Sequence, residues 1–310
     1  MTIATAPAKI ILFGEHAVVY GRAAIAVPIT HVQATATVQD EPPGSGCTIV
    51  AADLNSTARL ADAASDDPLA TAVRKTLARL AWDGPEPDVT ITLRSTIPIA
   101  SGMGSGAAVS TALVRALSAH LGTLLNDDIV SATVFEVEKL YHGTPSGIDN
   151  MVIAHARPLF FVRNKFIETF LLKVPLNMVI ADTGIRSSTK AVVGDVRAAW
   201  EANQERYDNL FKAMGQISVM GRPALENGEH AALGALMDGN QWLLSQLGVS
   251  SSQVDRLVLA AQRAGAMGAK LSGAGRGGSV IALVNKETQN AVTEAMLQAG
   301  AKSVTLTVIS

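Results

Sequence analysis

The amino-acid sequence predicts a two-domain protein of the α+β class. The chain has 310 residues, and single hydrophobic cores rarely grow far beyond ~250 residues. Patterns typical of strands and of helices both occur along it, but they do not alternate regularly as in a doubly wound α/β fold. We place the domain boundary near residue 173, which gives an N-terminal domain of residues 1–172 and a C-terminal domain of residues 173–310.

Composition restricts the classes of partner and compartment. The formal net charge is -2, whereas binding to nucleic acid or to an anionic membrane surface usually needs a concentrated basic excess. The single cysteine, Cys47, excludes an intramolecular disulfide and fits the reducing cytoplasm. Residues 1–9 lack the apolar core of a signal peptide, and apolar runs such as residues 10–13 are too short to span a bilayer. We therefore expect a soluble, cytoplasmic protein without nucleic-acid or membrane partners.

Local patterns predict the elements of the N-terminal domain. Apolar and polar residues alternate in residues 32–38 and 89–94, as in half-buried strands. Residues 67–82 have helical spacing, and the glycine-rich loop near residue 104 ends at the start of a second helix, because apolar residues recur every fourth position after it. These recurring residues are Val109, Leu113, Leu117 and Leu121.

A third helix is predicted to start after Asn126, a good N-cap, and to end near residue 141, before Gly143. Its buried stripe consists of Val130, Val134, Val137 and Tyr141. Residues 152–154 and 159–162 are then predicted to be strands. In the C-terminal domain we predict strands at 178–181, 279–284 and 303–308, several helices within 192–264, and a helix at 286–299.

The loop of residues 98–108, PIASGMGSGAA, is the first candidate for a ligand site. Its backbone N–H groups lie at the positive end of the dipole of the following helix, where a phosphate group binds well. The loop lacks the Gly-Lys-Ser/Thr ending of a Walker A motif and the Gly-x-Ser-x-Gly pattern of lipases. A turn needed only for close packing explains one such loop equally well.

A second glycine cluster, KLSGAGRGG in residues 270–278, formally has the spacing of the dinucleotide-binding fingerprint. That fingerprint lies between a strand and a following helix, whereas we predict a helix before this cluster and a strand after it. Close packing of a hairpin turn explains the cluster taken alone. Two separated glycine loops in one chain nevertheless favour a phosphorylated ligand.

Two carboxylates of the N-terminal domain are candidates for chemistry. Glu138 lies beside the apolar stripe of the third helix, because each helical residue advances by ~100°, whereas Glu136 faces away. A carboxylate next to a buried face needs a partner, and a metal ion is one candidate. Asp149 follows in the turn-rich stretch YHGTPSGIDN, where it is either a local cap or a general base.

The N-terminal stretch PAKIILFGEHAVVYG begins as a strand that carries Lys9 and continues into Glu15 and His16. Taken alone, Lys9 is explained by an exposed strand edge, and His16 by an ordinary structural role. The six histidines show no metal-ligand spacing.

Three motifs in the same order resemble those of the superfamily of galactokinase, homoserine kinase, mevalonate kinase and phosphomevalonate kinase, the GHMP kinases. They are PAKIILFGEHAVVYG, the phosphate loop PIASGMGSGAA, and KLSGAGRGGSVIAL. GEHAVVYG together with HGTPSGIDN is similar to the mevalonate kinase branch. The resemblance implies a ribosomal-S5-like N-terminal domain, a ferredoxin-like C-terminal domain, and an active site in the cleft between them.

The resemblance also implies a reaction, in which ATP with Mg²⁺ phosphorylates the 5-hydroxyl of (R)-mevalonate in isoprenoid biosynthesis. Asp149 matches the catalytic aspartate, Lys9 the lysine that pairs with it, and Glu138 the glutamate that binds magnesium. The implied mevalonate-binding residues are Glu15, His16, Ser146 and Thr189. The implied ATP-binding residues are Ser101, Gly102, Met103, Gly104, Ser105 and Gly106, with Ser105 also beside the magnesium.

The sequence departs from the family pattern at three positions and leaves alternatives open. Met103 replaces a leucine, Gly106 replaces the second serine of the phosphate loop, and Arg276 replaces a glycine. Arg276 either contacts a phosphate or points to solvent. The alternative functions are a sister kinase acting on phosphomevalonate or on another mevalonate hydroxyl, and a non-catalytic ligand sensor. The intact first motif argues against a decarboxylase, and a homodimer is one candidate oligomeric state.

Overall fold

The computed structural model describes residues 1–98, 102–142, 145–163 and 165–310. Helices and strands are both frequent in these residues, which confirms the α+β class. The chain divides into two compact units, of which the first consists of Met1–Ala8, Thr30–Pro98 and Gly104–Ala156, and the second of Lys9–Ile29, Ile99–Met103 and Arg157–Ser310. Both units are discontinuous in sequence, whereas the expected domains, 1–172 and 173–310, are continuous, and their boundary stays a prediction.

The N-terminal half of the chain contributes five strands and four helices among the described residues. The strands are β1 (Thr2–Phe13), β2 (Ala23–Asp40), β3 (Cys47–Ala51), β4 (Ser56–Arg59) and β5 (Val89–Ser95). The helices are α1 (Pro68–Arg79), α2 (Ser105–His120), α3 (Asp127–His142) and α4 (Ile148–His155). Short 3₁₀ helices occupy Ala17–Tyr20 and Ala52–Leu54.

In the first unit the strand order is β4-β3-β5-β2, with β3 and β5 parallel and the other pairs antiparallel. The predicted alternation is confirmed, because Val38 and Ile91 are directly opposite each other and both are fully buried. Helix α2 packs against α1, α3, α4 and β5. The first unit is therefore a sheet covered by helices, and α2 is the helix that contacts most of its elements.

Capping residues set two of these helix starts, of which the Asn126 cap was predicted from the sequence. The Asp67 carboxylate accepts a hydrogen bond from the Ala70 N–H at 2.7 Å, and Pro68 occupies the first turn of α1. Asn126 accepts from the Ile129 N–H at 2.9 Å at the start of α3. The strand predicted at 152–154 is wrong, because these residues belong to α4. A short apolar run does not distinguish a strand from a buried helix, and here the run is buried by packing of α4 on α2 and α3.

The second half of the chain forms the larger part of the second unit. Its strands are β6 (Leu159–Val162), β7 (Phe166–Thr169), β8 (Leu176–Asp182), β9 (Gly268–Ser272), β10 (Ser279–Val284) and β11 (Ser303–Ile309). Its helices are α5 (Thr189–Ala202), α6 (Gln204–Asn227), α7 (His230–Gln246), α8 (Ser252–Arg263) and α9 (Gln289–Gln298). None of the helices in the described part of the chain has the length and apolarity needed to cross a bilayer.

The second unit contains an antiparallel sheet with the order β11-β8-β10-β9. Its buried residues form one apolar cluster with residues from all five helices of this unit. The helix predicted before the second glycine cluster is wrong, since β9 precedes the cluster and pairs with β10 to form a hairpin. The dinucleotide fingerprint remains excluded, because the element that follows the cluster is a strand and not a helix.

Candidate active site

Lys9 lies on β1 in a run of buried residues in the second unit. Its side chain is only 3% exposed, so the alternative of a lysine on an exposed strand edge is excluded. Its backbone N–H donates to the carbonyl oxygen of Met103, at 3.0 Å. This hydrogen bond joins the first motif to the glycine-rich phosphate loop.

A tight turn follows β1 and presents Glu15 and His16. Gly14 has φ of +91°, and a Cβ atom there would lie 2.5 Å from the carbonyl oxygen of Ala23. Only glycine tolerates both this backbone conformation and this close approach. His16 itself has φ of 60°, a left-handed conformation that is uncommon for a non-glycine residue. The backbone of the turn therefore needs support from its side-chain contacts.

Glu15 provides such contacts from a fully buried position. Its Oε1 forms an ion pair with Lys270 Nζ of β9, and its Oε2 accepts from Asn240 Nδ2 of α7 at 3.1 Å. The three side chains are 1%, 0% and 0% exposed, respectively. Burial lowers the pKa of Lys270, while the neighbouring Glu15 carboxylate acts in the opposite direction. Both carboxylate oxygens thus have protein partners.

His16 is buried and neutral. Its Nε2 lies 2.8 Å from the carbonyl oxygen of Ala274, and because a carbonyl only accepts, Nε2 carries the hydrogen and Nδ1 is left as an acceptor. Desolvation, supported by the positive charge of Arg276, lowers the pKa of His16 from 6.5 to about 4. The imidazole can therefore accept a hydrogen bond from a hydroxyl group at neutral pH.

The second glycine cluster packs against the first motif and against the phosphate loop. Ser272 Oγ accepts from the Ile11 N–H at 3.0 Å and donates to the Ile11 carbonyl oxygen at 3.1 Å. A Cβ atom on Gly102 would lie 3.3 Å from the carbonyl oxygen of Ser272. Within the second unit, the fold thus brings together Lys9, Glu15, His16, Gly102 and Met103.

Arg276 continues this glycine cluster with φ of 57°. Its guanidinium group forms an ion pair with Asp195 of α5, and its Nε is 3.4 Å from the carbonyl oxygen of Gly248. Its side chain is 40% exposed, so the arginine lies along the protein surface and not in a buried phosphate site.

Thr189, another of the predicted substrate-binding residues, is the first residue of α5 in the second unit and is exposed.

The N-terminus of α2 in the first unit has the properties expected of an anion site. Gly104 precedes the helix with φ of 74° and provides no capping side chain. The first backbone N–H groups of a helix have no partner within it and point along its positive end. Ser105 and Gly106 form the first turn and are half-buried. Ser101 lies outside the described residues.

The carboxylates and Ser146 of the first unit lie on α3 and at the start of α4. Glu138 is 3% exposed, as the helical wheel predicted, whereas Glu136 is partly exposed and pairs with Lys139. Asp149 lies in the first turn of α4 and not in a turn outside a helix. Ser146 Oγ accepts from the Ile148 N–H at 3.3 Å and so stabilises the start of this helix.

The next residue after Asp149 ties α4 to α3. Asn150 is buried, and its Nδ2 donates to Ser131 of α3 at both the hydroxyl, 2.8 Å away, and the carbonyl oxygen, 3.2 Å away. This contact holds the helix that carries Asp149 against the helix that carries Glu138.

Sequence reasoning did not single out Lys270 or Asn240 as members of the site. A signal for Asn240 was present, because it interrupts the apolar stripe of Leu233, Met237 and Leu244 on α7. A polar residue on a buried helix face needs a hydrogen-bonding partner. Nothing in the sequence identifies that partner as a glutamate 225 positions earlier.

Comparisons with known proteins agree with these motifs. The family model of the GHMP kinase N-terminal domain matches residues 68–156, and that of the GHMP kinase C-terminal domain matches residues 222–302. The mevalonate kinases of Thermococcus sibiricus and Pyrococcus horikoshii are each 34% identical to the chain. The alignments cover 98% of this chain in both cases, and 95% and 94% of the two relatives.

Solved structures of mevalonate kinases are also similar to this chain. The mevalonate kinase of L. major in complex with R-mevalonate has a TM-score of 0.84 and 28% identity, covering 100% of this chain and 96% of that one. The mevalonate kinase of Methanococcus jannaschii has a TM-score of 0.86 and 28% identity, covering 99% and 98%. With both family models and full-length relatives in agreement, the chain belongs to the GHMP kinases and, within them, to the mevalonate kinase family.

Proposed function

We propose that this enzyme transfers the γ-phosphoryl group of ATP to the 5-hydroxyl of (R)-mevalonate, which yields 5-phosphomevalonate. The observation that carries the proposal is the match to mevalonate kinases at 34% identity over nearly the full length of both chains. A phosphomevalonate kinase of Streptococcus pneumoniae also matches, with a TM-score of 0.82 but only 16% identity. That likeness concerns the fold and does not favour phosphomevalonate as the substrate.

The phosphate loop is the proposed binding segment for ATP. Gly102 packs closely on Ser272 of the third motif, and Met103 is buried. Residues 104–106 form the start of α2. Backbone N–H groups at this helix start suit the oxygens of a phosphate chain. Since phosphoryl transfer asks mainly for positioning and for stabilisation of charge, backbone donors provide part of this stabilisation even with glycine at position 106. Ser101 is included in this segment by the resemblance alone.

Asp149 and Lys9 are the proposed catalytic residues. Asp149 orients the 5-hydroxyl and accepts its proton as the bond to phosphorus forms. The first turn of a helix is a favourable place for a carboxylate, because the helix dipole stabilises its charge. Lys9 contributes a buried positive charge that favours the developing alkoxide, and its position on β1 restricts its movement.

Mg²⁺ is the proposed metal ion, and the available side chains fit it. Glu138 and Ser105 provide oxygen donors, which Mg²⁺ prefers. The described residues contain no group of three acidic, histidine or cysteine side chains able to hold a metal. This agrees with the usual binding of Mg²⁺ by one or two carboxylates together with substrate phosphates. When bound, the ion neutralises negative charge on the phosphate oxygens.

His16, Ser146 and Thr189 are the proposed contacts for mevalonate. The orientation of His16 supports its role, because Nε2–H is used by the protein and Nδ1 is left to accept from a substrate hydroxyl. Ser146 and Thr189 supply hydroxyl groups, which both donate and accept hydrogen bonds. Glu15 was expected in this set, but Lys270 and Asn240 already bind both of its carboxylate oxygens.

The test is an ADP-release assay with ATP, magnesium and one acceptor at a time. The acceptors are mevalonate, phosphomevalonate, homoserine and galactose, with products identified by mass spectrometry and NMR. Of the four acceptors, we expect only mevalonate to be phosphorylated, with 5-phosphomevalonate as the product. We expect Asp149→Asn to abolish this turnover. Asp66→Asn makes the same chemical change at an exposed loop position and should retain activity. Turnover with another acceptor only, or binding of ATP and mevalonate without turnover, would overturn the proposal.

A further inference from the structure

Glu15 and Lys270 form an ion pair that joins the first motif to the third across 255 positions of sequence. Both side chains are essentially inaccessible to solvent. An ion pair in this environment has lost its hydration, so each charge depends on its partner and on nearby hydrogen bonds. The pair is therefore expensive to disturb, and its position beside His16 makes it relevant to the site.

The carboxylate of Glu15 has its two oxygens directed at different partners. Lys270 Nζ binds one oxygen and Asn240 Nδ2 binds the other. The three residues come from the turn after β1, from β9 and from α7. A carboxylate fixed from two sides at 1% exposure is poorly suited to bind a soluble substrate directly.

The turn that contains Glu15 needs this fixation. It includes the left-handed residues Gly14 and His16, and the His16 imidazole has to meet the carbonyl oxygen of Ala274. Glu15 lies between them and is the residue of the turn whose side chain bonds β9 and α7. Its contacts therefore set the position of the His16 ring.

We propose that Glu15, Lys270 and Asn240 form a buried anchor that positions His16 for mevalonate, and that Glu15 is a positioning residue rather than a ligand of the substrate. This assignment rests on the proposed function for the identity of the substrate. It assigns a role to Lys270 of the third motif, a residue that the proposed binding of ATP by the phosphate loop does not involve. It also differs from the role that the resemblance implied for Glu15.

The anchor predicts strong energetic coupling between Glu15 and Lys270. Glu15→Gln strands the ammonium group, and Lys270→Met strands the carboxylate, so each single variant should raise the unfolding equilibrium constant at least about a hundredfold. The double variant strands neither charge. Its effect should be at least about tenfold smaller than the product of the two single effects. The exposed pair Arg197 and Glu201 on α5 is the matched control, with coupling below about threefold.

The same variants separate an anchor from a substrate ligand by kinetics. Misplacement of His16 should raise KM for mevalonate in each single variant at least about tenfold, with a smaller change in kcat. The double variant should return KM to within about threefold of wild type, because the glutamine carbonyl oxygen still accepts from Asn240 and no buried charge is left without a partner. If stability returns while KM stays as high as in Glu15→Gln, the carboxylate binds the substrate and the proposal is wrong. Absence of coupling in stability also overturns it.

A readout independent of turnover keeps this test distinct from that of the proposed function. Nitrogen NMR of His16 should report the Nε2–H tautomer in the wild type and in the double variant, but not in Lys270→Met. If the wild type does not phosphorylate mevalonate, the proposed function fails, while the stability cycle and the His16 tautomer still decide whether the anchor exists. If the tautomer is unchanged in every variant, the anchor does not position His16.

Discussion

Helix α7 and strand β9 approach each other closely at Gly234 and Gly268. Because of this contact, we expect a glycine-to-alanine substitution within a helix to lower stability, although such substitutions usually raise it. A Cβ atom on Gly234 would lie 2.0 Å from the carbonyl oxygen of Met267 and 2.5 Å from its carbonyl carbon. A Cβ atom on Gly268 would lie 2.1 Å from the carbonyl oxygen of Gly234. Both obstacles are backbone atoms, which cannot move aside as a side chain does. Gly234→Ala should therefore destabilise the protein although alanine is the better helix former.

The magnitude follows from two opposing effects. Replacing glycine by alanine inside a helix stabilises it by about 1 kcal/mol. To restore ordinary contact, α7 and β9 would have to separate by roughly 1 Å or more at this point, and overpacking of this kind costs about 1–3 kcal/mol or more. Because the contact is with backbone atoms, we take the upper end of that range, which leaves a net loss of about 2 kcal/mol.

Gly194 on α5 provides the matched control. It lies in a helix interior on the protein surface, and a Cβ atom there would meet no atom within 4 Å. Gly194→Ala should stabilise the protein by about 1 kcal/mol, because only the helix propensity changes. The two glycine-to-alanine variants should thus shift stability in opposite directions.

Urea denaturation followed by circular dichroism measures both effects as shifts of the midpoint at constant slope. Gly234→Ala should also raise KM for mevalonate, since α7 carries Asn240 and β9 carries Lys270. If Gly234→Ala is as stable as Gly194→Ala, then α7 and β9 do not approach as closely as described, and the reasoning fails. An equal loss in both variants would refute the propensity argument.

Three further predictions concern the turn after β1 and the third motif. Gly14→Ala should destabilise by about 2–5 kcal/mol through left-handed strain and overpacking, whereas Gly21→Ala, with φ of 72° and no atom within 4 Å, should cost only about 1–2 kcal/mol. The pKa of His16 is about 4 when folded and 6.5 in its unperturbed state, so the unfolded chain binds more protons between these values. Stability should fall by about 3 kcal/mol as the pH drops from 6.5 to 4, and His16→Asn should lack this component. Arg276→Gly should leave KM for ATP unchanged and stability within about 1 kcal/mol, since it loses an exposed pair with Asp195 and a long hydrogen bond from Nε to the Gly248 carbonyl oxygen.

Each of these predictions has a contradicting result. Equal denaturation midpoints for Gly14→Ala and Gly21→Ala would show that the close approach to β2 is absent. A His16 proton resonance that titrates near pH 6.5 by NMR would show that the ring is exposed. A rise of tenfold or more in KM for ATP in Arg276→Gly would assign that arginine to a phosphate contact.

Features that depend on neighbours in sequence were predictable. The helix from residue 127 follows from the Asn126 cap and a stripe of buried valines, and the strand pair at 32–38 and 89–94 follows from alternation. The three glycine-containing motifs and their order are likewise visible in the sequence, and they suffice to identify the family. The burial of Glu138 follows from its angle on the helix. In each case the physical signal lies within one turn or one pleat of the residue.

Features that depend on distant contacts were decided by tertiary structure. The apolar run at 152–154 is a helix because it is covered by α2 and α3, and β9 is a strand because β10 pairs with it. The burial of Lys9 and the pairing of Glu15 with Lys270 are equally invisible in the local sequence. The sequence by itself therefore determined the elements and the family, whereas the partners of the buried charges were chosen by the fold, because electrostatic pairing depends on distance in space and not on separation along the chain.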